Sequence, residues 1–599
     1  MDKKNKPLFS EFPPVSTEQW MERVTADLKG ADFDKKLVWK NLNGINIQPC
    51  YSSETESTQL KNTGENSQTL VNYRTVAVCC SETGNEAAKK AIEEGINGVI
   101  FQIISDVKVE DLLQDIDLKT ITVAFELYTN AVAFTKNLVN YAKDKDLKGY
   151  INTRPISNYV TTGSFDESQV DVLAELIQLT ADFPNFKVLT ISGTEFLDSG
   201  ANQVQEIAYT LNALVFLTEK LKAKGVAVQD IFNNLNVLLA IGLEYFVEIG
   251  KFRAFNNLLT EVAAKYGISD FSNTITAKTS IWSKSITDAE TNLLRCTTEA
   301  MSAILGNVDG VLIDPYDATF NSPSDFSSRI AGNITTILRE ESYFGKVSNP
   351  VDGSYYIEEV TSKIAEKALE LFKAIENKGG FYTTFENETI QQQIAEIRLQ
   401  KLKLLSQRRT AMVGINKYPN LMETVDKNLL SKDNTANPKV LTPRRASLEI
   451  EAMRRVTEDL VQETNIRPIV QLASYGNLTM RKARAAFAYD FIGVSGFDVH
   501  QEESFENATV AAYESAKSNA HVVVICSSDD DYNATALDFI NTFRAVNKDK
   551  VLLLAGAPKN MAELTEAGLD GVVNMRTDVL VTLSAIQKKI QETFKSLEV

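Results

Sequence analysis

RPIVQLASYGNLTMRKARAAFAYDFIGVSGFDV, residues 467–499, decides how the C-terminal part of this chain folds. Ile469, Val470 and Leu472 make a strand, Tyr475-Gly476-Asn477 make a turn, and the residues after the turn have helical spacing. Thr479 is placed to cap that helix, which runs to about Phe491 before glycines and a second strand, FDV. Further strand-like runs follow at HVVVIC, VLLLAG and GVVN, with helical patterns between them. Strands at this spacing predict an open, doubly wound, flavodoxin-like parallel sheet over residues 446–599.

Toward the N-terminus comes a Pro-containing linker, SKDNTANPKVLTPRR (431–445). Before it lie two helical stretches, one with Ile364, Ala368, Leu371 and Ile375 on a face and Gly379 as its stop. Residues 346–445 therefore read as a helical connection and linker. Ahead of them, strand runs fall at 72–80, 98–103, 120–127, 147–153, 186–192, 235–241, 273–279 and 309–314, each followed by a helical pattern. Eight such units predict a (β/α)8 barrel over residues 51–345, with apolar runs suited to a sheet covered on both faces. Some of Phe101, Phe125, Tyr150 and Leu189 are expected among the large residues that fill it.

Residues 1–50 form an arm, in which Ser16 or Thr17 caps a helix ended by Gly30. Its Phe9, Phe12, Trp20 and Val24 have no evident place in the barrel core and are candidates for contact with a partner. The stretch 52–69 is polar and turn-rich, an exposed loop.

The composition excludes several classes of function. Net charge is −17, which argues against nucleic acid and anionic membranes as partners. No apolar run reaches the roughly 20 residues of a membrane span, and no secretory h-region is visible, so the expected location is cytoplasmic. Two histidines, His500 and His521, leave little room for zinc or His-based acid–base chemistry, and each reads as packed or surface histidine. The five cysteines read as reduced and mostly buried, with Cys79 and Cys80 on opposite faces of a strand. Dinucleotide, P-loop, zinc-protease and nucleophile-elbow motifs do not occur.

Strand, turn and helix as in residues 467–499, at the same place near the C-terminus, are found in the cobalamin-binding domains of adenosylcobalamin-dependent acyl-CoA mutases. FVEIGKFRAFNNLL (246–259), SDFSSRIAGNITTILREESYF (324–344) and NPVDGSYYIEEVT (349–361) look like landmarks of the same family's barrel, and the chain resembles the methylmalonyl-CoA mutase family along nearly its whole length. That family breaks a cobalt–carbon bond and uses the resulting radical to rearrange an acyl-CoA. Its cofactor loop reads D-x-H-x-x-G, with the His on cobalt, the Asp orienting it and the Gly making room for the nucleotide tail. Here the positions hold Tyr475, Asn477 and Met480, and Gln471 stands where catalytic relatives carry a Lys.

The barrel departs in the same way. Ser192-Gly193-Thr194-Glu195 replaces S-G-Y-H, so Glu195 occupies the substrate-contacting His position. Ala277-Lys278-Thr279 lacks a second family His, at Ala277, and the loop 52–69 stands in for an Arg-rich substrate segment. Arg154-Pro155 reads as barrel-top structure.

The resemblance therefore implies a small, non-catalytic subunit that binds neither cobalamin nor metal. It implies a heterodimer with a catalytic large subunit, which holds adenosylcobalamin and the acyl-CoA and interconverts succinyl-CoA and methylmalonyl-CoA. Two other readings stay open. One is an independent barrel enzyme using Glu126, Asp314, Asp317 or Glu195 at strand ends. The other is a mutase-associated interaction protein.

Overall fold

The computed structural model describes residues 12, 15–52, 70–347, 349–430 and 437–597. Eight parallel strands make the barrel. They are β1 (Val71–Val78), β2 (Gly98–Ile103), β3 (Thr122–Leu127), β4 (Gly149–Asn152), β5 in two pieces (Phe186–Lys187 and Leu189–Ser192), β6 (Leu235–Ile241), β7 (Thr274–Thr279) and β8 (Gly310–Leu312). The strand order is sequential, with β1 beside β8. The first piece of β5 pairs with β4 and the second with β6, so closure passes through the break at Val188. The Thr190 hydroxyl donates to the Ile151 carbonyl at 2.7 Å and ties β5 to β4 beyond the break.

Side chains alternate between the two faces of each strand. Phe101 and Phe125 stack at 5.6 Å on the helix-covered face, and Leu189 lies in that same core. Of the four candidates for the barrel interior, Tyr150 is the one found there, in a buried layer with Tyr73, Ile100, Ala124 and Leu312. The reason is that these strands are apolar on both faces, so hydrophobicity does not fix which parity points inward. The Tyr73 ring reaches across the axis above two glycines. A Cβ on Gly98 or Gly310 would come within 2.7 or 2.5 Å of its ring carbons, so the plug requires both to lack a side chain.

The arm helix, Thr17–Asp27, has the expected cap: Ser16 and Gln19 form a reciprocal capping box. None of its residues is buried. Phe12 is 69% exposed, Trp20 and Val24 are half-buried, and Phe9 and residues 53–69 lie outside the described residues. The sequence reading missed a short antiparallel ribbon, Trp39–Lys40 with Asn46–Ile47. Ile45 and Ile47 join the barrel core, so the end of the arm belongs structurally to the barrel.

The connection is helical at Tyr355–Asn377, Gly380–Glu386 and Thr389–Ser406. Ile364, Ala368 and Ile375 are buried as expected, and Gly379 follows with φ +102°. In the 246–259 landmark, Ile249, Phe252 and Leu259 are buried, whereas Phe246 is 51% exposed. Residues 431–436 of the linker are outside the description. The rest straps to the barrel through Leu441 N to Val160 O at 2.7 Å and Arg444 N to Asp198 O at 2.9 Å.

The C-terminal domain is a parallel sheet of β9 (Ile469–Ser474), β10 (Asp498–Val499), β11 (Glu503–Ser504), β12 (Val522–Cys526), β13 (Val551–Ala555) and β14 (Gly571–Val573). The order is β10-β9-β12-β13-β14, with β11 also on β9. Period-two alternation divides its core. Val470, Leu472, Val522 and Val524 pack on one face, and Ala473, Val523, Ile525 and Leu552 on the other. β11 is Glu-Ser and carries no apolar signal, so it escaped the sequence reading.

All five cysteines are free thiols, but the expected burial holds for Cys296 and Cys526 alone; Cys50, Cys79 and Cys80 are exposed. β1 ends at Val78, so Cys79 and Cys80 lie beyond the strand, and Cys80 precedes the next helix. Among the described residues no helix is long and apolar enough to cross a membrane.

Candidate functional site

Two places correspond to the residues singled out in the sequence: the loop after β9 and the mouth of the barrel. The helix after the loop is Leu478–Gly493, and its cap is Asn477, not Thr479. Asn477 Oδ1 accepts from Met480 N at 3.1 Å, the role for which a short amide is well suited. Asp531 lies beneath the turn, accepting from Asn477 N at 3.1 Å and from the Ser527 and Ser528 hydroxyls at 2.7 Å each. Burial pushes its pKa up, but these hydrogen bonds outweigh it and hold the carboxyl below its usual value. Gly476 has φ +74°, and a Cβ there would sit 2.3 Å from Asp531 Oδ2, so the turn accepts no other residue.

Tyr475 is 3% exposed. Its ring stacks on Phe539 at 6.0 Å, and its hydroxyl meets Thr535 Oγ1 at 3.0 Å. Burial raises the phenol to about 12. Gln471 Nε2 donates to the Glu503 carboxylate, and Met480 is 36% exposed. The histidines are elsewhere. His500 pairs with Asp498 at 3.3 Å on the surface, and His521 Nδ1 accepts from Ile469 N at 3.0 Å.

At the barrel mouth, polar residues from the strand ends surround a cavity of about 180 Å³ whose floor is Tyr150, Ile100, Leu238 and Leu312. Gln102 Nε2 donates to Glu126 Oε2 at 2.8 Å. Arg154 lies 3.6 Å from Glu126 Oε1 and donates to the Tyr128 hydroxyl at 2.7 Å, a barrel-top role. Glu195 Oε2 accepts from Ser192 Oγ at 2.6 Å and Thr194 Oγ1 at 3.2 Å. Lys278 Nζ is 3.5 Å from Asp314 Oδ2, and that carboxylate above all keeps the ammonium above its ordinary pKa.

Glu126 and Glu195 are thus brought to one opening, with Asp314 beside it on Lys278. Ala277 is not; it is fully buried in the helix-side core, and its neighbour Lys278 faces the mouth. The inward parity of β7 would have found Lys278. Asp317 sits in the turn after β8, where its carbonyl accepts from Phe320 N at 3.0 Å and Asn321 N at 2.9 Å. Asp198, which the sequence reading passed over, is buried behind the mouth. It accepts from the Ser280 hydroxyl and from Ile281 N at 3.0 Å, and burial pushes its carboxyl up to about 6.

A model of the methylmalonyl-CoA mutase family matches residues 60–489, through the whole barrel and past the loop after β9. The chain belongs to the methylmalonyl-CoA mutase family. It is similar to the methylmalonyl-CoA mutase small subunit of Porphyromonas gingivalis, 32% identical over 98% of this chain and 99% of that one. It is similar to the probable methylmalonyl-CoA mutase small subunit of Mycobacterium tuberculosis, 29% identical over 67% of this chain and 65% of that one. Rhizobium meliloti methylmalonyl-CoA mutase is 31% identical over 55% of this chain and 46% of its own length. Membership of this mutase family supports an isomerase subunit.

Proposed function

We propose that this chain is the small, non-catalytic subunit of a heterodimeric methylmalonyl-CoA mutase. Its partner is a catalytic homologue that interconverts succinyl-CoA and methylmalonyl-CoA with adenosylcobalamin. The observation that carries the proposal is the loop after β9. A cobalamin site there needs a free nitrogen ligand, an orienting carboxylate and an empty slot for the nucleotide tail. Asn477 spends its side-chain oxygen on capping the helix, and Tyr475 is stacked into the domain core. These residues do not fit the cofactor.

The barrel mouth supports the same reading. Glu195 offers a carboxylate where a thioester oxygen would need a donor, and the Tyr73–Tyr150 layer blocks the axis below it. The relatives described as small subunits point the same way.

Co-expression with a mutase homologue that retains D-x-H-x-x-G tests the proposal. A one-to-one complex with mutase activity is expected, and that activity should vanish when the homologue loses its loop His. A chain that stays monomeric beside every mutase homologue of its own genome contradicts it. A second reading, independent chemistry at the mouth, draws on Lys278, whose side chain is 37% exposed among acids. Lys278→Met should leave the complex's mutase activity intact; loss of an activity shown by the chain alone would favour this second reading.

A further inference from the structure

A separate cavity of about 410 Å³ lies beside the barrel mouth, off the axis. Its walls come from three parts of the chain. The arm ribbon contributes Trp39, the loop after β7 contributes Trp282, and the end of the helix Thr389–Ser406 and the residues after it contribute Leu404 and Met412. Two of the chain's three tryptophans therefore face one space of ligand size.

Cations converge on this apolar chamber. Lys40, Lys401 and Arg409 line it, against a single lining carboxylate, Glu244. Lys40 and Arg409 make no ion pair among the described residues. Lys401 lies 5.4 Å from the centre of the Trp282 ring, and its Nζ donates to the Ala201 carbonyl at 2.6 Å. That bond leaves two of its N–H donors without a protein acceptor. Burial lowers the Lys401 pKa against the pull of the Glu244, Glu248 and Glu206 carboxylates, so its charge stays under-compensated. Apolar walls with a few convergent donors are the usual design of a small-molecule site, and the sign of the donors sets the sign of the ligand.

We infer that this cavity binds a small amphipathic anion, an apolar body carrying one carboxylate or phosphate head. The body lies between Trp39, Trp282, Leu404 and Met412, and the head meets Lys401 and Arg409. A bound ligand would join the arm ribbon, the barrel and the helical connection at one point.

The test titrates the full-length chain with octanoate, octyl phosphate and octan-1-ol, followed by calorimetry and tryptophan fluorescence. One site per chain is expected, and at least one anion should bind roughly tenfold more tightly than the alcohol. Preference between the two anions identifies the head group. Arg409→Gln should remove most of the anion's advantage. Ala411→Trp, at the cavity lining, should abolish binding. Arg409 and Ala411 are both exposed, so both variants should melt like the parent. The inference fails if neither anion binds more tightly than octan-1-ol, if Arg409→Gln leaves the advantage intact, or if Ala411→Trp binds like the parent.

Discussion

Tyr475 and Phe539 lie nearly parallel, with ring centroids 6.0 Å apart and 19° between their planes, and the Tyr475 hydroxyl is anchored on Thr535 at 3.0 Å. A residue so placed is part of the fold of its domain. Tyr475→Phe should cost about 1 kcal/mol through the lost hydrogen bond, and Tyr475→Ala about 3 kcal/mol or more through the cavity it leaves. Urea unfolding of the full chain checks both. A Tyr475→Ala variant as stable as the parent would show that the ring does not hold the domain together.

A buried ion cluster braces the barrel against the helices Gln203–Ala223 and Tyr245–Lys265. Lys251 Nζ lies 2.9 Å from Glu206 and 2.6 Å from Glu248, and all three side chains have zero exposure. Lys251→Met would leave two buried carboxylates without their direct ion-pair partner and should cost about 3–5 kcal/mol near pH 8. Burial already pushes Glu206 above its usual pKa, so the loss should shrink at pH 5, where protonation removes the unpaired charge. Thermal melts at the two pH values measure the difference.

Asp198 and Asp309 are both raised by burial from 3.8 to about 6. In the window between those values the folded chain holds more protons than the unfolded one, so their contribution to stability falls as pH rises from about 4 to about 6. Asp198→Asn keeps an oxygen for Ser280 and Ile281 but removes the titration. Its stability relative to the parent should rise across that window, by at most about 3 kcal/mol. A pH-independent difference would contradict the burial of this carboxyl.

The arm helix makes a capping box, yet none of its residues is fully buried. Deleting residues 1–30 should leave the melting temperature of the isolated chain unchanged and weaken the complex with the catalytic homologue tenfold or more. Equal affinity of the truncated and full chains, measured by calorimetry or gel filtration, would remove the arm from the interface.

Much of the architecture was legible because strands and helices here carry strong, regular apolar patterns. The eight barrel strands and the main strands of the C-terminal sheet fall close to their sequence positions. Parity was not legible. A strand apolar on both faces does not say that Phe101 faces helices while Tyr150 faces the axis, or that Lys278 and not Ala277 looks into the mouth. Short elements without an apolar signature, Trp39–Lys40 and Glu503–Ser504, were silent because they carry no periodic pattern to read. The helix cap was misplaced by two residues because Asn477 and Thr479 are both good caps, and the side-chain bond to Met480 N decides between them.

The most direct measurement is cofactor uptake. The purified full-length chain is incubated with adenosylcobalamin or hydroxocobalamin, desalted, and its visible spectrum recorded. No retained corrinoid is expected, because Asn477 caps a helix and Tyr475 fills the domain core. A stoichiometric corrinoid band with a nitrogen-ligated profile would contradict it.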